Sequence, residues 1–279
     1  MTTITAPTTT TRTGTQIATS ADGTSIAYEV HGSGPALILV DGGLCYRTMG
    51  PAAGLAKALA ADFTVHIYDR RGRGESDPGA TPWSIDRELE DLAAMIDAGG
   101  GSAHVFGVSS GAALSLEAAR RGLPINRLAL YEAPFILDDT RAPHPLDTPQ
   151  QLRDLVDRGE RGEAVKTFMR LVGLPAPFIG LMRVLPAWKK LTGIAHTLPY
   201  DLSIVNAHQQ GEPLPEGRYA GVEQETLVIA GSKSPKHMRN AQAGIAAAVP
   251  NARLETLPGQ THMVKPKATC PVVIPFFQS

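Results

Sequence analysis

The sequence predicts an α/β fold with a doubly wound, mostly parallel sheet into which a set of helices is inserted. Short, continuously apolar segments, typical of strands covered on both faces, alternate along the chain with segments whose apolar residues follow a helical period. The alternation is interrupted once, between residues 133 and 222, by a helical stretch that is too long for an ordinary connection. This stretch is therefore expected to be an inserted helical unit.

The composition limits the classes of partner that the protein can have. The chain has 279 residues, with 26 Lys and Arg against 27 Asp and Glu, and it contains no block of basic residues. Nucleic acid and anionic membranes are therefore not expected as main partners, and no apolar run approaches the roughly 18 residues that span a bilayer. Neither Cys45 nor Cys270 has the spacing of a metal site or a disulfide framework. We expect a reduced, cytoplasmic protein that acts on a small molecule, with homodimer formation left open.

The first half of the chain predicts a hairpin followed by buried strands. Residues 1–14 are rich in Thr and predict a disordered tail. Two alternating segments, 15–20 and 25–31, flank Asp22-Gly23, which is typical of a hairpin turn. Four continuously apolar strands are predicted before the interruption, at residues 36–40, 63–68, 104–107 and 128–131.

Helices are predicted between these strands and again in the second half of the chain. Residues 84–98 carry an apolar stripe, begin with acidic residues and end at Gly99-Gly100, while residues 110–121 end at Gly122. Strand character resumes at 226–230 and 253–256, and further helices are predicted at 240–248 and 271–277. The predicted domains are a core of residues 15–132 and 223–279 and a helical cap, or lid, of residues 133–222. Within the cap, helical segments are predicted at 152–156, 164–172, 178–184 and 188–195.

The most specific chemical signal is the segment Gly107-Val108-Ser109-Ser110-Gly111. It follows a predicted strand and opens a predicted helix, which is the context of a nucleophile elbow rather than of an ordinary Gly/Ser loop. The turn is so tight that the positions two before and two after the nucleophile must be small. Gly107 and Gly111 meet this requirement for Ser109, whereas a nucleophile at Ser110 would place Val108 there. Ser109 is therefore the candidate nucleophile.

A serine nucleophile requires a histidine base, and His262 is the best candidate of eight histidines. It lies in a loop after the last predicted strand, and such a loop can reach the crevice where ligands bind in sheets of this kind. The other histidines fall in predicted strands, in the inserted helices or at the start of a helix: His31, His66, His104, His144, His196, His208 and His237.

Four motifs occur in one order along the chain: ALILVDGG, DRRGRGES, GVSSG and LPGQTH. With these motifs the chain, from about Thr15 to its C-terminus, resembles enzymes of the α/β-hydrolase fold. The resemblance implies the chain order nucleophile, acid, histidine, and a helical cap inserted after the sixth strand. It also implies that the backbone N–H groups of Ser110 and of Gly43 or Leu44 form an oxyanion hole.

Two positions depart from the pattern of that family. Asp41 stands where the family usually has His, and we expect its side chain to turn away from the site and bond to backbone. Ser234 stands where the family usually has the catalytic Asp. Glu132, directly after the sixth strand, is the best replacement acid; Asp138 and Asp139 are the next candidates, and a Ser–His dyad without an acid is the last.

The predicted function is that of a serine hydrolase without a cofactor or metal. Ser109 would form an acyl-enzyme with an ester, thioester or lactone of small to medium size, and the apolar residues of the cap predict a largely apolar substrate. A serine nucleophile argues against the branches of the family that attack through a carboxylate. The alternative is a degenerate member that binds ligands, or a non-hydrolytic biosynthetic enzyme. Arg70, Arg71 and Arg73 are expected to make structural bonds around their glycine-rich loop rather than to grip a phosphate.

Overall fold

The structure is a computed structural model that describes residues 14–80 and 82–279. Except for Gly14, the tail predicted for residues 1–14 lies outside the described residues.

A single eight-stranded sheet forms the centre of the molecule. Its strand order is β1-β2-β4-β3-β5-β6-β7-β8; β2 is antiparallel to both β1 and β4, and all other neighbouring pairs are parallel. The predicted fold class is therefore confirmed. The strands are β1 Gln16–Thr19, β2 Ser25–His31, β3 Ala36–Val40, β4 Thr64–Tyr68, β5 Ala103–Val108, β6 Ile125–Tyr131, β7 Glu225–Gly231 and β8 Ala252–Leu257.

Helices cover both faces of the sheet, as the continuously buried central strands require. The helices are α1 Ala52–Leu59, α2 Ile85–Ala98, α3 Ser110–Arg120, α4 Thr148–Asp157, α5 Arg161–Leu171, α6 Ala176–Met182, α7 Ala187–Gly193, α8 Leu198–Val205, α9 Lys236–Ala248 and α10 Pro266–Gln278. On one face, α1 and α10 pack into a cluster with Phe63, whose ring meets that of Phe277 edge to face. On the other face, a larger cluster contains residues of α2, α3, α9 and the inserted helices.

Five helices, α4 to α8, lie between β6 and β7, where the sequence predicts the insertion. The sequence analysis predicted no helix at α8, which contains Pro199, a residue type that usually interrupts helices. In the structure Pro199 is the second residue of α8, and proline is well tolerated there because the first-turn N–H groups have no partner within the helix. The division of the chain into a core domain and a cap domain remains a prediction.

The helices α1 and α10 also differ clearly from the sequence prediction. The sequence analysis did not predict α1, which is short and rich in alanine. It predicted α10 from residue 271, whereas the helix begins at Pro266 and continues through Pro271 and Pro275. Both internal prolines are exposed, so the carbonyl groups that lose a backbone partner can bind water.

Two further observations concern the residues that the structure describes. None of their helices is long and apolar enough to cross a membrane. Cys45 and Cys270 are both free thiols, so the sheet and its helices are held without a bridge between them.

Candidate active site

The candidate site residues follow the carboxyl ends of three parallel strands. Ser109 follows β5, Glu132 follows β6, and His262 lies in the loop after β8. Because β5 and β6 are neighbours and only β7 separates β6 from β8, all three residues emerge at one edge of the sheet.

Ser109 lies on the sharp turn from β5 into α3. Its backbone has φ 56° and ψ −125°, and its N–H donates to the carbonyl of Tyr131 at 2.9 Å. A Cβ at Gly107 would lie 2.6 Å from the Gly111 carbonyl oxygen, and a Cβ at Gly111 would lie 2.2 Å from the Val40 carbonyl oxygen. Both positions therefore require glycine, as the sequence analysis predicts for an elbow at Ser109.

The histidine loop is fixed to the ends of the neighbouring strands. The Tyr131 hydroxyl donates to the Thr261 carbonyl at 2.6 Å, and the Lys233 N–H donates to the Gln260 carbonyl at 2.8 Å. A Cβ at Gly231 would lie only 2.5 Å from the Gln260 carbonyl oxygen, so the end of β7 packs closely against this loop. These contacts hold the residue before His262 next to β6 and β7.

The three side chains form a continuous chain of hydrogen bonds. His262 Nε2 lies 3.1 Å from Ser109 Oγ, and His262 Nδ1 lies 2.9 Å from Glu132 Oε2. The Glu132 carboxylate accepts a hydrogen bond from Nδ1, so Nδ1 carries the proton. Nε2 is then free to accept a hydrogen bond from the serine hydroxyl. The His262 imidazole is 38 % exposed while the Glu132 carboxylate is fully buried. A substrate can therefore reach this series of hydrogen bonds from the Ser109 end and not from the Glu132 end.

Glu132 is held as an anion at the end of β6. Burial raises its pKa, but hydrogen bonds from His262 and the Gly231 N–H outweigh that effect, so the pKa lies below its usual range. The Gly231 N–H donates to Oε1 at 2.7 Å. Ser234, at the position where the family usually has the acid, carries a buried hydroxyl with no hydrogen-bond partner among the described residues.

The two other candidate acids are not near the imidazole. Asp138 accepts hydrogen bonds from the N–H and hydroxyl of Thr140 and from Asn240, and Asp139 is exposed. Among these three carboxylates, only that of Glu132 is bonded to His262.

The glycine loop after β3 lies directly beside Ser109. A Cβ at Gly42 would be 2.8 Å from the Ser109 Cβ, so this glycine is required for the close approach. Gly43 and Ser110 border the same cavity as Ser109. Leu44, the alternative to Gly43 in the sequence analysis, has a positive φ of 58° and marks the point where the loop turns away.

Asp41 precedes this loop and is buried. Burial raises its pKa to about 7, against the lowering effects of the nearby Arg73 and Arg70. The expected bond of this side chain to the backbone stays a prediction. Oδ2 of the same carboxyl has no hydrogen-bond partner among the described residues.

Two of the three arginines in the DRRGRGES motif hold the glycine loop. Arg73 donates to the Gly42 carbonyl at 2.7 Å and to Asp201 on α8 at 2.7 Å. Arg70 donates to the other oxygen of Asp201 at 2.8 Å, and the same oxygen accepts from the Ser110 hydroxyl at 2.7 Å. Although burial raises the pKa of Asp201, attraction to Arg73 and Arg70 outweighs it and lowers the pKa. An inserted helix is thus bonded to both sides of the candidate oxyanion hole.

The third arginine has a purely structural environment. Arg71 makes a two-pronged pair with Asp91 of α2, with both distances 2.7 Å, and a further bond to Asp22 of the hairpin at 3.0 Å. Arg70 makes a similar pair with Glu88. All three arginines are therefore paired with carboxylates, and the structure agrees with structural bonds rather than a phosphate grip.

Comparison with known proteins gives the same assignment as the fold. The model of the alpha/beta hydrolase family matches residues 30–269. The chain belongs to this family. The crystal structure of an alpha/beta hydrolase from Sphaerobacter thermophilus is 46 % identical in sequence, with a TM-score of 0.86 over 94 % of this chain and all of that one.

Two curated relatives match over shorter lengths. The provisionally named carbamate hydrolase RutD of Azorhizobium caulinodans is 37 % identical over 97 residues, which are 33 % of this chain and 34 % of RutD. The uncharacterized hydrolase YraK of Bacillus subtilis is 30 % identical over 158 residues, which are 53 % of this chain and 55 % of YraK. The chain thus spans about a third to about half of the length of these relatives.

In this alpha/beta hydrolase an apolar cavity, here called the main cavity because Ser109 and His262 border it, lies between the sheet edge and the inserted helices. Its volume, including the open mouth, is about 780 Å³. The Ser109 hydroxyl and the His262 imidazole meet at one wall. Most other lining residues are apolar, among them Ile136, Phe168, Leu171, Val172, Leu202, Val205 and Met238.

A second cavity meets the first at the same two catalytic candidates. Ser109 and His262 border both cavities, and the second is otherwise lined by residues of the glycine loop and by Pro51, Val108, Met263 and Val264. A substrate bond placed at Ser109 would therefore have space for a group on each side.

The sequence analysis identified the reacting groups better than the walls around them. Of the apolar residues of the predicted cap, Phe168 and Leu171 line the cavity, whereas Phe178, Leu181 and Leu185 are exposed on or just after α6. It also did not single out Gly42 or Asp201. Asp201 belongs to the unpredicted helix α8, so no local pattern in the sequence indicated that it would reach the arginines.

No metal site is evident in the described part of the chain, since none of its His, Cys, Asp and Glu side chains form a group of three or more that could hold an ion.

Proposed function

We propose that this alpha/beta hydrolase is a serine hydrolase that cleaves an ester, thioester or lactone of a small to medium, largely apolar molecule. The observation that carries the proposal is the chain of hydrogen bonds from Ser109 through His262 to the buried Glu132. The proposed roles are nucleophile for Ser109, general base and then general acid for His262, and orienting acid for Glu132.

The reaction would proceed through an acyl-enzyme. Ser109 Oγ attacks the carbonyl carbon while its proton passes to His262 Nε2, and the carbonyl oxygen becomes an oxyanion. The imidazolium then gives its proton to the leaving oxygen or sulfur, and the bond to the leaving group breaks. A water molecule, deprotonated by His262, attacks the acyl-enzyme, and the proton returns to Ser109 Oγ as the acid is released.

In this proposal the backbone N–H groups of Ser110 and Gly43 stabilise the oxyanion. One such donor is typically worth about 10²–10³-fold in kcat. The helices between residues 133 and 222 act as the cap that keeps bulk water from the apolar cavity. A sheltered apolar cavity with few polar groups suits a small organic substrate and no macromolecular one.

Covalent labelling with a fluorophosphonate tests whether Ser109 is an activated nucleophile. The expected result is a single modified peptide that contains Ser109, and no labelling of Ser109→Ala. The Ser102→Ala variant is a matched control, because Ser102 is exposed at the start of β5 and should label like the wild type.

A p-nitrophenyl butyrate assay tests turnover with the same variants. Ser109→Ala should lose at least about 10⁴-fold in kcat, and Ser102→Ala should not change. A folded wild-type protein that neither labels nor turns over ester would contradict the proposal and favour the ligand-binding alternative.

A further inference from the structure

Arg141 borders the main cavity together with Ser109. It lies between β6 and α4 along the chain, and its side chain contacts both the inserted helix α5 and the helix α9 beside the sheet. One guanidinium nitrogen donates to the Leu171 carbonyl at the end of α5, and the other lies 3.1 Å from Nε2 of His237 at the start of α9. Arg141 also borders a shallow groove on the outer surface, so its side chain forms a partition between groove and cavity.

In the described part of the chain, no acid neighbours the positive charge of Arg141. Among the residues that the structure describes, no carboxylate oxygen lies within 4 Å of its guanidinium, and burial lowers its pKa. The other charged group of this wall, Asp201, is paired with Arg70 and Arg73. Among its described lining residues the cavity therefore contains one unbalanced cation, since arginine stays protonated in proteins.

Two further polar groups lie in the same wall as Arg141. His144 Nδ1 is 3.1 Å from the side-chain oxygen of Gln209, whose amide nitrogen donates to the Pro134 carbonyl at 2.6 Å. Nδ1 therefore carries the proton, and the buried Nε2 of His144 is an acceptor without a partner among the described residues. This nitrogen can accept from a water molecule or from a substrate hydroxyl beside an anion on Arg141.

The rest of the cavity wall defines what can connect this polar end to Ser109. Apart from Arg141, His144, His237 and Gln209, the residues away from the catalytic group and the paired Asp201 are apolar. An aliphatic or aromatic segment would be desolvated there at little cost, whereas an anion would be stable only next to the guanidinium.

We propose that the substrate has a carboxylate which binds Arg141, separated by a short apolar segment from the carbonyl group that Ser109 attacks. This inference rests on the proposed hydrolase function and adds a substrate class to it. A carboxylate fits better than a phosphate dianion, because the wall offers a single unbalanced cation.

Binding to an inactive protein tests the inference without any need for turnover. Hexanoate and its neutral analogue hexanamide are titrated calorimetrically into Ser109→Ala. We expect hexanoate to bind at least 10-fold more tightly, because a carboxylate accepts a stronger hydrogen bond from the guanidinium than a neutral amide oxygen does. Arg141→Met in the same background should lose this preference. Arg141→Lys should retain part of it, and Arg158→Met, an exposed arginine on the insertion, should retain all of it.

Circular dichroism and thermal unfolding establish whether each variant is folded. If Arg141→Met does not fold, Arg141→Lys still tests the inference. Equal binding of hexanoate and hexanamide to Ser109→Ala would overturn the inference, as would a preference that survives in folded Arg141→Met.

Kinetics then connect the subsite to the reaction. The ratio of kcat/KM for mono-p-nitrophenyl glutarate to kcat/KM for p-nitrophenyl pentanoate measures the preference for a carboxylate on the acyl side of the ester. The corresponding ratio for 4-acetoxybutanoate and butyl acetate measures it on the alcohol side. At least one ratio should fall 10-fold or more in Arg141→Met. Arg141-dependent hexanoate binding without hydrolysis of any ester would leave the subsite standing and contradict the proposed function instead.

Discussion

At the scale of single residues, backbone strain is concentrated at the candidate active site. The non-glycine residues with positive φ in the described chain are Leu44, Ser109 and Glu132, at 58°, 56° and 48°. Each such conformation costs on the order of 1–3 kcal/mol and persists only where the surrounding structure imposes it. The three strained residues are thus a residue of the glycine loop, the candidate nucleophile and the candidate acid.

The strain at Ser109 predicts a gain of stability when that position becomes glycine. The free energy of unfolding of Ser109→Gly should exceed that of Ser109→Ala by roughly 1 kcal/mol, because only glycine adopts this backbone without penalty. Ser109→Gly should therefore unfold at a higher denaturant concentration. Equilibrium unfolding in urea measures the difference. Both variants lack the hydroxyl, so the comparison isolates the backbone, and equal midpoints would show that Ser109 is not strained.

The position of Glu132 predicts a large loss of activity without loss of the fold. Glu132→Gln should lower kcat for p-nitrophenyl butyrate by about 10⁴-fold, because a neutral amide cannot hold His262 in the required tautomer or stabilise its charged form. Asp139→Asn is the control, since Asp139 is exposed. A Glu132→Gln variant with near wild-type kcat would remove Glu132 from the mechanism.

The buried carboxyl of Asp41 predicts a pH-dependent cost to stability. Its pKa is about 7 in the folded protein against 3.8 for the unperturbed group, so the folded state binds the proton more tightly and loses stability as pH rises from about 4 to 7. Asp41→Asn removes the charge. Its stability relative to wild type should improve by roughly 2–3 kcal/mol between pH 5 and pH 8. Urea unfolding at the two pH values measures this, and an unchanged difference would contradict the prediction.

At the scale of elements, the tight packing of α3 against β3 makes Gly111 irreplaceable. A Cβ there would lie 2.2 Å from a backbone oxygen of β3 that cannot easily move. Gly111→Ala should therefore destabilise the protein by several kcal/mol, at the upper end of what single substitutions do. The matched control is Gly180→Ala on α6, where a Cβ meets nothing within 4 Å and should add up to about 1 kcal/mol of helix stability. Thermal unfolding distinguishes them, and similar effects would refute the packing argument.

Elements whose signals are local could be predicted from the sequence. The hairpin at Asp22-Gly23, the strands of the sheet centre and the turn at Ser109 each depend on short patterns of apolar residues and glycine. These patterns act within a few residues, so they are visible without the fold. The order of the motifs then indicated that Ser109 and His262 belong to one site.

Elements that depend on distant partners could not be predicted in this way. The extent of α10 depends on which side of the helix faces solvent, and α8 begins with a proline that usually interrupts helices. Asp201 acquires its role only through two arginines more than 120 residues away. No sequence pattern indicated the position of Arg141 either. That none of the described acidic residues pairs with it is a property of the folded cavity.

At the scale of the whole molecule, buried histidines predict how stability depends on pH. Burial lowers the pKa of six of them, to about 4 for His66 and His208; the others are His104, His144, His196 and His237. Their contribution to stability is complete above the unfolded value of about 6.5 and is lost as pH falls toward 4, because the unfolded chain takes up the protons first. Asp41 and Asp91, with raised pKa values of about 7 and about 6, act in the opposite direction but are fewer.

We therefore expect the protein to unfold at a lower temperature at pH 5 than at pH 7.5. Calorimetric scans at the two pH values measure the difference in Tm. The double variant His66→Phe with His208→Phe removes two of the six groups and should show a smaller difference. A difference that is absent in wild type, or unchanged in the double variant, would contradict this explanation.

The location of the candidate acid directly after β6 has a consequence for how this molecule can change its specificity. Because the carboxylate bonded to His262 comes from Glu132, the turn after β7 does not have to provide it, and Pro235, His237 and Met238 just beyond that turn line the cavity. Mutations in this turn can therefore reshape the binding surface without changing Glu132 or the end of β6 that positions it. A library restricted to these three positions should yield altered substrate preferences at a higher frequency of functional clones than one that includes residue 132.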